Sequence, residues 1–486
     1  MAPGVRRTLF RIAGPLTWAL VVTLGPESLP PAARQTLGVA AWMVIWWMTE
    51  AAPLAVTSLL PIPLFPLLGI AGLGETTAPY ANELVFLFMG GFILAAALER
   101  WNCHKRIAYA MVSRIGLDSR RMVLGVMIAT GSISMWISNT ATAAMMFPIV
   151  LALGSMFGAG EEAERTRTAL LLGMAWAASI GGMATLIGTP PNLVVAGAIQ
   201  QFHGQPIGFG QFMTLGLPMA LILIPICWAI LVFGTSRTRQ RLGAEATEAI
   251  RLDHRNLGPL TGGEARVFVI FAATATAWLV RDQKQIGDIV IPGLVNLFPG
   301  LTDTGIAILC AITLLLVPVG KSAPKARPLL TWDEARLISW DVLLLFGGGL
   351  TLAASMDRTG VTRWVADQLA VLQDAPTLVI YAGLATTVLI LSELASNLAV
   401  AAMMMPVTVS LSQATGEPLV LLMLVAGFAA STGFALPIAT PPNAIVFGSG
   451  RIKVLDMVKG GVLLDLAAIV TVTIVMATFG RAVLGL

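Results

Sequence analysis

One polar stretch occurs twice in this chain of 486 residues, and each copy lies inside an apolar segment. The copies run over 134–148 and 392–406, and Ser, Ser, Asn and Pro stand at the same four places in both, 258 residues apart. Polar groups in apolar surroundings are costly unless something binds them. We therefore expect the two copies to face each other across one site.

Two further landmarks recur in the same order. The glycine-rich segment that begins at Phe88 recurs at Phe346, again 258 residues later. The stretch Gly188-Thr-Pro-Pro-Asn192 recurs as Ala439-Thr-Pro-Pro-Asn443, 251 residues later. Three landmarks in one order indicate two homologous repeats of about 200 residues each, preceded by one helix.

The composition indicates a membrane protein. Hydrophobic residues make up 56% of the chain and charged residues 12%, and the mean hydropathy is +0.83. Apolar runs near the ~20 residues that span a bilayer recur throughout, which predicts an all-α polytopic protein with about 11 transmembrane helices and the lipid bilayer as its partner. The net charge of +4 requires no nucleic-acid partner, because Lys and Arg cluster in short loops. The N-terminus lacks an Ala-x-Ala-like cleavage site and is interpreted as a retained first helix.

Both polar copies are predicted to be tips of re-entrant hairpins. Residues 119–154 are apolar, yet Ser134, Ser138 and Asn139 interrupt their middle. Two half-length helices joined at a Ser-Asn tip fit this pattern better than one overlong span, provided that the tip is buried in protein. The Pro-Pro pair at Pro190 removes two backbone donors and predicts a helix broken at mid-membrane.

The predicted organisation is an N-terminal helix, a first repeat over 34–234, a cytoplasmic linker and a second repeat over 264–486. Each repeat divides into a scaffold part, a transport part made of the hairpin and the broken helix, and a closing helix. The predicted boundaries are 1–33 for the N-terminal helix; 34–117, 118–202 and 203–234 for the parts of the first repeat; 235–263 for the linker; and 264–372, 373–449 and 450–486 for the parts of the second repeat.

The distribution of basic residues predicts that the repeats are inverted. Residues 100–121 carry six Lys and Arg, whereas the equivalent 358–379 carry two. Because cytoplasmic loops are enriched in Lys and Arg, equivalent loops then lie on opposite sides of the membrane. We predict a multi-pass protein of the bacterial inner membrane, with a cytoplasmic N-terminus and an external C-terminus.

Neutral oxygens dominate the predicted site. Ser134 and Ser138 share one helical face, as do their counterparts in the second copy. These hydroxyls, with carbonyls at Gly188 or Ala439, predict two oxygen cages. Such ligands suit a monovalent cation better than calcium or magnesium, which draw on carboxylates. A small anion would be held by amides, hydroxyls, bound cations and half-helix N-termini.

Simpler interpretations exist for each feature taken alone. A single Ser in an apolar helix usually bonds a neighbouring helix, and a lone Pro-Pro is usually a kink; their duplicated co-occurrence favours a site. Glu393 is a candidate functional residue because it is acidic and intramembrane. It also fits a structural partner that caps a half-helix, and the sequence leaves both roles open. Cys103, Cys227 and Cys310 lie in unrelated segments and predict neither a disulfide nor a zinc site.

These motifs resemble a known family. The paired Ser-Asn motifs, the Pro-Pro-Asn breaks and the stretch Trp46-Trp-Met-Thr-Glu-Ala-Ala-Pro53 are similar to the divalent anion:sodium symporter family from about residue 34 to the C-terminus. The resemblance implies a homodimer whose transport domains move as elevators. It also implies sodium-coupled import of a small divalent anion, with sodium as the coupling ion and no other cofactor. A C4-dicarboxylate such as succinate, malate or fumarate is the expected substrate.

The resemblance further implies a role for individual residues, with one sodium ion near each tip and the substrate between the tips. The first sodium set is Ser134, Ser138, Asn139 and Gly188, the second is Ser392, Ala395, Asn397 and Ala439, and the substrate set is Ser138, Asn139, Thr140, Thr189, Pro190, Ser396, Asn397, Leu398, Thr440 and Pro441.

Leu398 departs from the family pattern, in which Thr is commonest at this place. A hydrogen bond to a charged group contributes roughly 1.5–3 kcal/mol. We therefore predict that Leu398→Thr raises the affinity for a C4-dicarboxylate, and that the second copy decides substrate specificity.

Several alternatives remain open at this level. The chain fits a sodium-independent dicarboxylate exchanger, or a citrate or sulfate transporter of the same fold, and a non-transporting receptor is a further alternative. An enzyme is not predicted, because an intramembrane hydrolase needs a nucleophile with a paired base or metal. His104 and His254 fall in predicted loop or surface stretches, and His203 falls at the end of a span.

Overall fold

The structure is a computed structural model. It describes residues 3–112, 118–236, 238–240, 258–286, 289–320 and 327–485. Most of the predicted linker 235–263 lies outside the described residues, and so do His254 and Arg114, one of the six basic residues of 100–121.

The described chain is nearly all α-helical, which confirms the predicted fold class. Its helices are α1 Pro3–Leu24, α2 Pro31–Thr49, α3 Leu54–Ser58, α4 Pro61–Leu67, α5 Leu73–Thr77, α6 Glu83–Arg100, α7 Cys103–Val112, α8 Ser119–Ser134, α9 Asn139–Ser155, α10 Glu161–Gly182, α11 Pro190–His203, α12 Phe209–Ala229, α13 Gly262–Val280, α14 Asp303–Leu316, α15 Trp332–Ala335, α16 Trp340–Thr359, α17 Val361–Gln368, α18 Thr377–Leu394, α19 Asn397–Thr415, α20 Leu419–Ala430, α21 Pro441–Gly448, α22 Val454–Val475 and α23 Arg481–Leu484. One short antiparallel pair, β1 Lys284–Ile286 and β2 Ile289–Ile291, lies between α13 and α14.

Membrane-spanning length is reached by six helices within the described residues. They are Leu73–Arg100, Phe209–Thr235, Gly262–Val280, Thr377–Leu394, Asn397–Thr415 and Val454–Leu484. Several shorter apolar helices, such as Asn139–Ser155 and Leu419–Ala430, accompany them. A 12-residue helix such as Leu419–Ala430 crosses only part of a bilayer and needs protein around its ends. The total of eleven spans stays a prediction.

The two halves contain the same order of elements around their polar stretches. In the first half, α8 and α9 are joined by a short turn, α10 and α11 are separated at the Thr-Pro-Pro-Asn stretch, and α12 follows. In the second half, α18 and α19, α20 and α21, and α22 repeat this order. Both closing helices end in a π-helical turn, at Ile230–Thr235 and at Met476–Gly480.

Local sequence signals set the ends of these helices. Proline stands in the first turn of α11 and α21, where its missing N–H would be unpaired in any residue. Side-chain oxygens of Asn82 and Thr302 accept backbone N–H groups at the starts of α6 and α14. The proline-rich segment 53–67 forms the two short helices α3 and α4.

The core is centred on the helices that carry the breaks. Every residue of α20 from Val420 to Ala430 is buried, and so is every residue of α10 from Ala169 to Gly182. Helices that are apolar on all sides belong in the middle of a bundle. By contrast, α22 exposes Leu466, Val470 and Ile474 on one face, which suits contact with lipid.

Candidate functional site

The first tip is a four-residue turn between α8 and α9. Ser138 caps α9, and its hydroxyl accepts a hydrogen bond from the backbone N–H of Ala141 at 3.3 Å. The Ser134 hydroxyl donates to Oδ1 of Asn139 at 2.8 Å. Nδ2 of Asn139 in turn donates to the Thr189 hydroxyl at 3.4 Å. Asn139 therefore links the hairpin tip to the broken helix of its own half.

The first break, residues 183–189 between α10 and α11, is bridged by the side chain of one asparagine. α10 ends at Gly182, and Nδ2 of Asn192 donates to the carbonyls of Gly182 and Thr185, at 3.1 and 2.7 Å. The Thr185 hydroxyl also donates to the carbonyl of Met135 in the hairpin turn. The Asn192 side chain thus binds two carbonyls between α10 and α11, and the Thr185 hydroxyl binds a carbonyl of the hairpin turn.

Two glycines allow the tip to approach the break. A Cβ atom on Gly182 would lie 2.2 Å from Oδ1 of Asn139, and one on Gly188 would lie 2.5 Å from the Gly182 carbonyl oxygen. Neither position has room for a side chain. Gly182 was not among the predicted site residues; the glycine at the equivalent position of the second half, Gly433, was the available signal.

The second tip has the same sequence pattern with different contacts. The Ser392 hydroxyl lies 2.7 Å from Oδ1 of Asn397 and 2.6 Å from the Ala430 carbonyl oxygen. A hydroxyl has one proton, so the two acceptors share it. Ala395 is extended, and Ser396 precedes α19 without a side-chain capping bond.

The second break, residues 431–440 between α20 and α21, is also bridged by the side chain of an asparagine. Nδ2 of Asn443 donates to the carbonyls of Phe434 and Leu436, at 3.4 and 3.0 Å. The Thr440 hydroxyl accepts a bond from the backbone N–H of Asn443 at 3.3 Å. Asn192 and Asn443 therefore do the same work in both halves, a role that the motif alone did not reveal.

Glu393 contacts the backbone of the second break. Its carboxylate oxygens accept bonds from the backbone N–H groups of Ala435 and Leu436, at 2.7 and 2.8 Å. The sequence left open a functional role and a structural role for Glu393, and these contacts are those of a structural partner. Asp465 of α22 joins it, because its Oδ1 accepts the N–H of Phe434 at 3.1 Å. Asp465 was missed by sequence reasoning, although an acidic residue inside an apolar span is a signal in itself.

Helix packing brings the two half-sites together. α9 of the first hairpin packs against α21 of the second break, and α19 of the second hairpin packs against α11 of the first break. Each of these four helices begins at a tip or a break. Helix N-termini carry partial positive charge and unpaired N–H groups, so the arrangement favours an anion. Within the described residues, no group of three or more His, Cys, Asp or Glu side chains could hold a metal ion.

The predicted site residues differ in exposure. The buried ones are Ser134, Gly188, Thr189, Ser392, Leu398, Ala439 and Thr440; the half-buried ones are Ser138, Asn139, Pro190, Ala395, Ser396 and Asn397; and the exposed ones are Thr140 and Pro441. Leu398 is 7% exposed and packs in the hydrophobic core, whereas its counterpart Thr140 is exposed. The two equivalent positions therefore have different surroundings.

The placement of His104 corrects a prediction. It was expected in a loop or surface stretch, yet it lies in α7, is 6% exposed, and places Nδ1 3.2 Å from the Leu98 carbonyl oxygen. Burial lowers the pKa of His104 to about 4, so its ring is neutral at physiological pH. His203 lies at the end of α11, as predicted.

Comparisons with known proteins identify a family and several relatives. A family model described as the sodium:sulfate symporter transmembrane region matches residues 9–486. The sodium-dependent dicarboxylate transporter SdcS of Staphylococcus saprophyticus subsp. saprophyticus is 35% identical over 483 residues, which cover 98% of this chain and 92% of the relative. SdcS of Staphylococcus aureus is 36% identical over 483 residues, with 98% and 91% coverage.

A solved structure shares the fold. The YdaH transporter of Alcanivorax borkumensis, whose crystal structure is described as revealing an unusual topology, superposes with a TM-score of 0.56 over 99% of this chain and 100% of that chain. The two sequences are 12% identical, so the likeness concerns the fold alone. The matched family and the curated relatives are transporters rather than enzymes, as predicted. The chain belongs to the divalent anion:sodium symporter family.

Proposed function

We propose that this protein imports a small divalent anion by sodium-coupled secondary active transport, with a C4-dicarboxylate such as succinate, malate or fumarate as the substrate. The observation that carries the proposal is the crosswise packing of the two Ser-Asn hairpins on the two broken helices. Each of the four packed helices begins at a tip or a break, and we infer that their N-termini surround one anion site. A dianion gains most from such a concentration of positive dipole ends.

Charge balance favours sodium coupling. Neither tip, 134–140 or 392–398, contains Lys or Arg. Burying a dianion without counter-charges is prohibitively costly. One sodium ion at each tip would offset the two negative charges, so substrate binding would require that the cations bind first. A fixed basic side chain would remove this requirement and permit sodium-independent exchange.

The oxygens for these ions are available at both tips. We assign the first ion to Ser134, Ser138, Asn139 and Gly188, and the second to Ser392, Ala395, Asn397 and Ala439. Hydroxyl, amide and carbonyl oxygens fit a monovalent cation better than calcium or magnesium. The substrate set contains Thr140, Thr189, Pro190, Ser396, Leu398, Thr440 and Pro441, together with Ser138, Asn139 and Asn397 of the sodium sets.

Transport itself is proposed to follow an ordered elevator cycle. Sodium ions bind and rigidify the tips, the anion binds between them, and the loaded hairpins and broken helices cross as one rigid body against the scaffold of a homodimer. The protein would lie in the bacterial inner membrane with its N-terminus in the cytoplasm and its C-terminus outside. The names of the SdcS relatives, sodium-dependent dicarboxylate transporters, support the choice of ion and substrate class.

Counterflow in proteoliposomes tests this function. Purified protein is assayed with labelled succinate, malate, fumarate, citrate and sulfate, each with and without a sodium gradient. The proposal expects C4-dicarboxylate uptake that depends on sodium. Equal uptake in choline would identify an exchanger, and preference for citrate or sulfate would change the substrate class. Ser155→Ala is a suitable control variant, because the Ser155 hydroxyl is exposed and bonds only its own helix at Ala152.

A further inference from the structure

The backbone N–H and C=O groups of residues 434–436 in the second break form hydrogen bonds with side chains. The N–H of Phe434 donates to Asp465, and the N–H groups of Ala435 and Leu436 donate to Glu393. The carbonyls of Phe434 and Leu436 accept bonds from Asn443. Five backbone groups in three successive residues are thus bound by three side chains. The carboxyl pair, defined here as Glu393 and Asp465, supplies all the acceptors.

A proline stands next to these N–H groups in the second half. Pro437 follows Leu436, and the helical region is disfavoured for a residue before proline, so the turn cannot wind helically up to Pro437. α20 has already ended at Ala430. In the first half Leu186 stands at the equivalent position, and α10 winds on to Gly182. There the N–H groups of Met183 and Ala184 bond to helix carbonyls instead.

The carboxyl pair is also specific to the second half. Glu393 corresponds to Met135 by the 258-residue offset of the tips. Asp465 corresponds to Ala220, because α12 and α22 show the same burial register. Seven buried positions match at one constant offset: 212, 215, 216, 219, 220, 223 and 227 in α12, and 457, 460, 461, 464, 465, 468 and 472 in α22. Phe209 of α12 and Thr471, Thr473 and Val475 of α22 are buried in one helix only.

The two closing helices also contact their breaks through equivalent glycines. A Cβ atom on Gly216 would lie 2.4 Å from the Met183 carbonyl oxygen, and one on Gly461 would lie 2.4 Å from Cα of Ala435. The register is therefore fixed by packing as well as by burial. The second half thus differs from the first at three neighbouring residues. Pro437 follows the break residues 434–436, and Glu393 and Asp465 accept the backbone N–H groups of these residues.

We propose that Glu393 and Asp465 are positioning residues that replace the winding lost at Pro437 and fix the second break against the second tip. Glu393 follows Ser392 in the hairpin, and the loop returns close to it, since a Cβ atom on Gly433 would lie 3.6 Å from the Ser392 carbonyl oxygen and 3.1 Å from Cβ of Ala439. The carboxyl pair thereby sets where the Ala439 carbonyl and Thr440 lie relative to the tip. For its effect on sodium binding, this inference rests on the proposed function.

Hydrogen–deuterium exchange of the peptide that covers 431–440 tests the contact directly. The purified full-length chain is compared with Glu393→Gln and Asp465→Asn, which keep the side-chain shape but weaken the N–H acceptors. Exchange should speed up by about tenfold or more in both variants, because the acceptors of buried backbone N–H groups are weakened. Adding Pro437→Leu should restore at least half of the protection by letting the turn wind. Unchanged exchange in both single variants, or no restoration by Pro437→Leu, would overturn the inference.

A sodium titration of uptake provides a readout that a general loss of stability would not move. Glu393→Gln should raise the sodium concentration for half-maximal uptake by about tenfold, with the maximal rate within about twofold of wild type. Glu417→Gln is the matched control: Glu417 accepts bonds from Thr377, Tyr381 and Arg481 at the far end of the same hairpin. It should leave the sodium dependence unchanged.

The two readouts separate the two proposals. If wild-type protein shows no sodium-dependent uptake, the proposed function fails while hydrogen–deuterium exchange still decides the role of the carboxyl pair. If uptake is sodium-dependent and Glu393→Gln shifts the sodium requirement no more than Glu417→Gln, the positioning role in sodium binding is wrong.

Discussion

The two half-sites share a motif but differ in how each tip is tied to its break. In the first, neutral groups make the connection: Ser134, Asn139 and Thr189 form a chain of side-chain bonds. In the second, the Ser392 hydroxyl contacts Asn397 and the Ala430 carbonyl at the end of α20, and the carboxylate of Glu393 binds the N–H groups of the break. A repeated motif therefore does not imply a repeated network.

This difference has an energetic consequence. A neutral hydrogen bond contributes about 0.5–1.5 kcal/mol and one to a charged group about 1.5–3 kcal/mol. The first half-site should tolerate the loss of one bond, whereas the second depends on a few strong ones. We therefore expect equivalent substitutions in the two halves to have unequal effects, except where both tips do the same work.

The tip asparagines are the place where the halves should behave alike. Asn139→Ala and Asn397→Ala should each lower uptake by about hundredfold. Each would remove the proposed contacts to a sodium ion and to the anion, and each such contact would contribute about tenfold or more. Folding should remain intact, as judged by gel filtration and thermal unfolding. Initial-rate uptake of labelled succinate measures the effect. Substantial sodium-dependent uptake in either variant would remove that tip from the site.

Alanine substitutions of the equivalent glycines Gly182 and Gly433 should have clearly different effects on uptake. Gly182→Ala places a methyl group 2.2 Å from Oδ1 of Asn139, whereas the nearest atom to the same group in Gly433→Ala lies 3.1 Å away. Overpacking of the first kind costs about 1–3 kcal/mol. We expect about tenfold weaker uptake for Gly182→Ala, with Gly433→Ala much nearer to wild type. Equal losses in the two variants would show that the approach of the first tip is not what Gly182 provides.

Leu398 and Thr140 form a reciprocal pair with a smaller expected effect. Leu398→Thr should raise affinity for succinate by up to about tenfold through a new bond to a charged carboxylate. Because Leu398 is buried, the same change should lower thermal stability. Thr140→Leu should weaken succinate binding without that stability loss, since Thr140 is exposed. Competition by unlabelled succinate measures both, and unchanged or weaker affinity in Leu398→Thr would end the claim that this position sets specificity.

Much of the fold was predictable because it depends on local and periodic signals. Apolar run lengths, the Pro-Pro breaks and the duplicated Ser-Asn stretches predicted the helical class. They also predicted interruptions at residues 134–139 and at residues 188–192, although the second interruption begins earlier, after Gly182. These features arise from missing backbone donors and from helix-terminal residues, which act over a few positions along the chain.

The contacts around the breaks were not predictable in the same way. Glu393 meets Ala435, and Asp465 meets Phe434, across 42 and 31 residues of sequence. Gly182 touches Asn139 only because α10 passes beside the first tip. Such contacts depend on how separate helices pack, and the motifs of a single sequence do not predict that packing. The surroundings of Leu398 were hidden for the same reason.

Equilibrium binding of radioactive sodium to the purified protein tests most directly whether the two tips form two cation sites of one transporter. At least two sodium ions should bind per chain of the wild type. Ser134→Ala and Ser392→Ala should each bind one ion fewer, and the double variant should bind two fewer. Binding of a single ion to wild type, or the loss of the same ion in both single variants, would contradict this prediction.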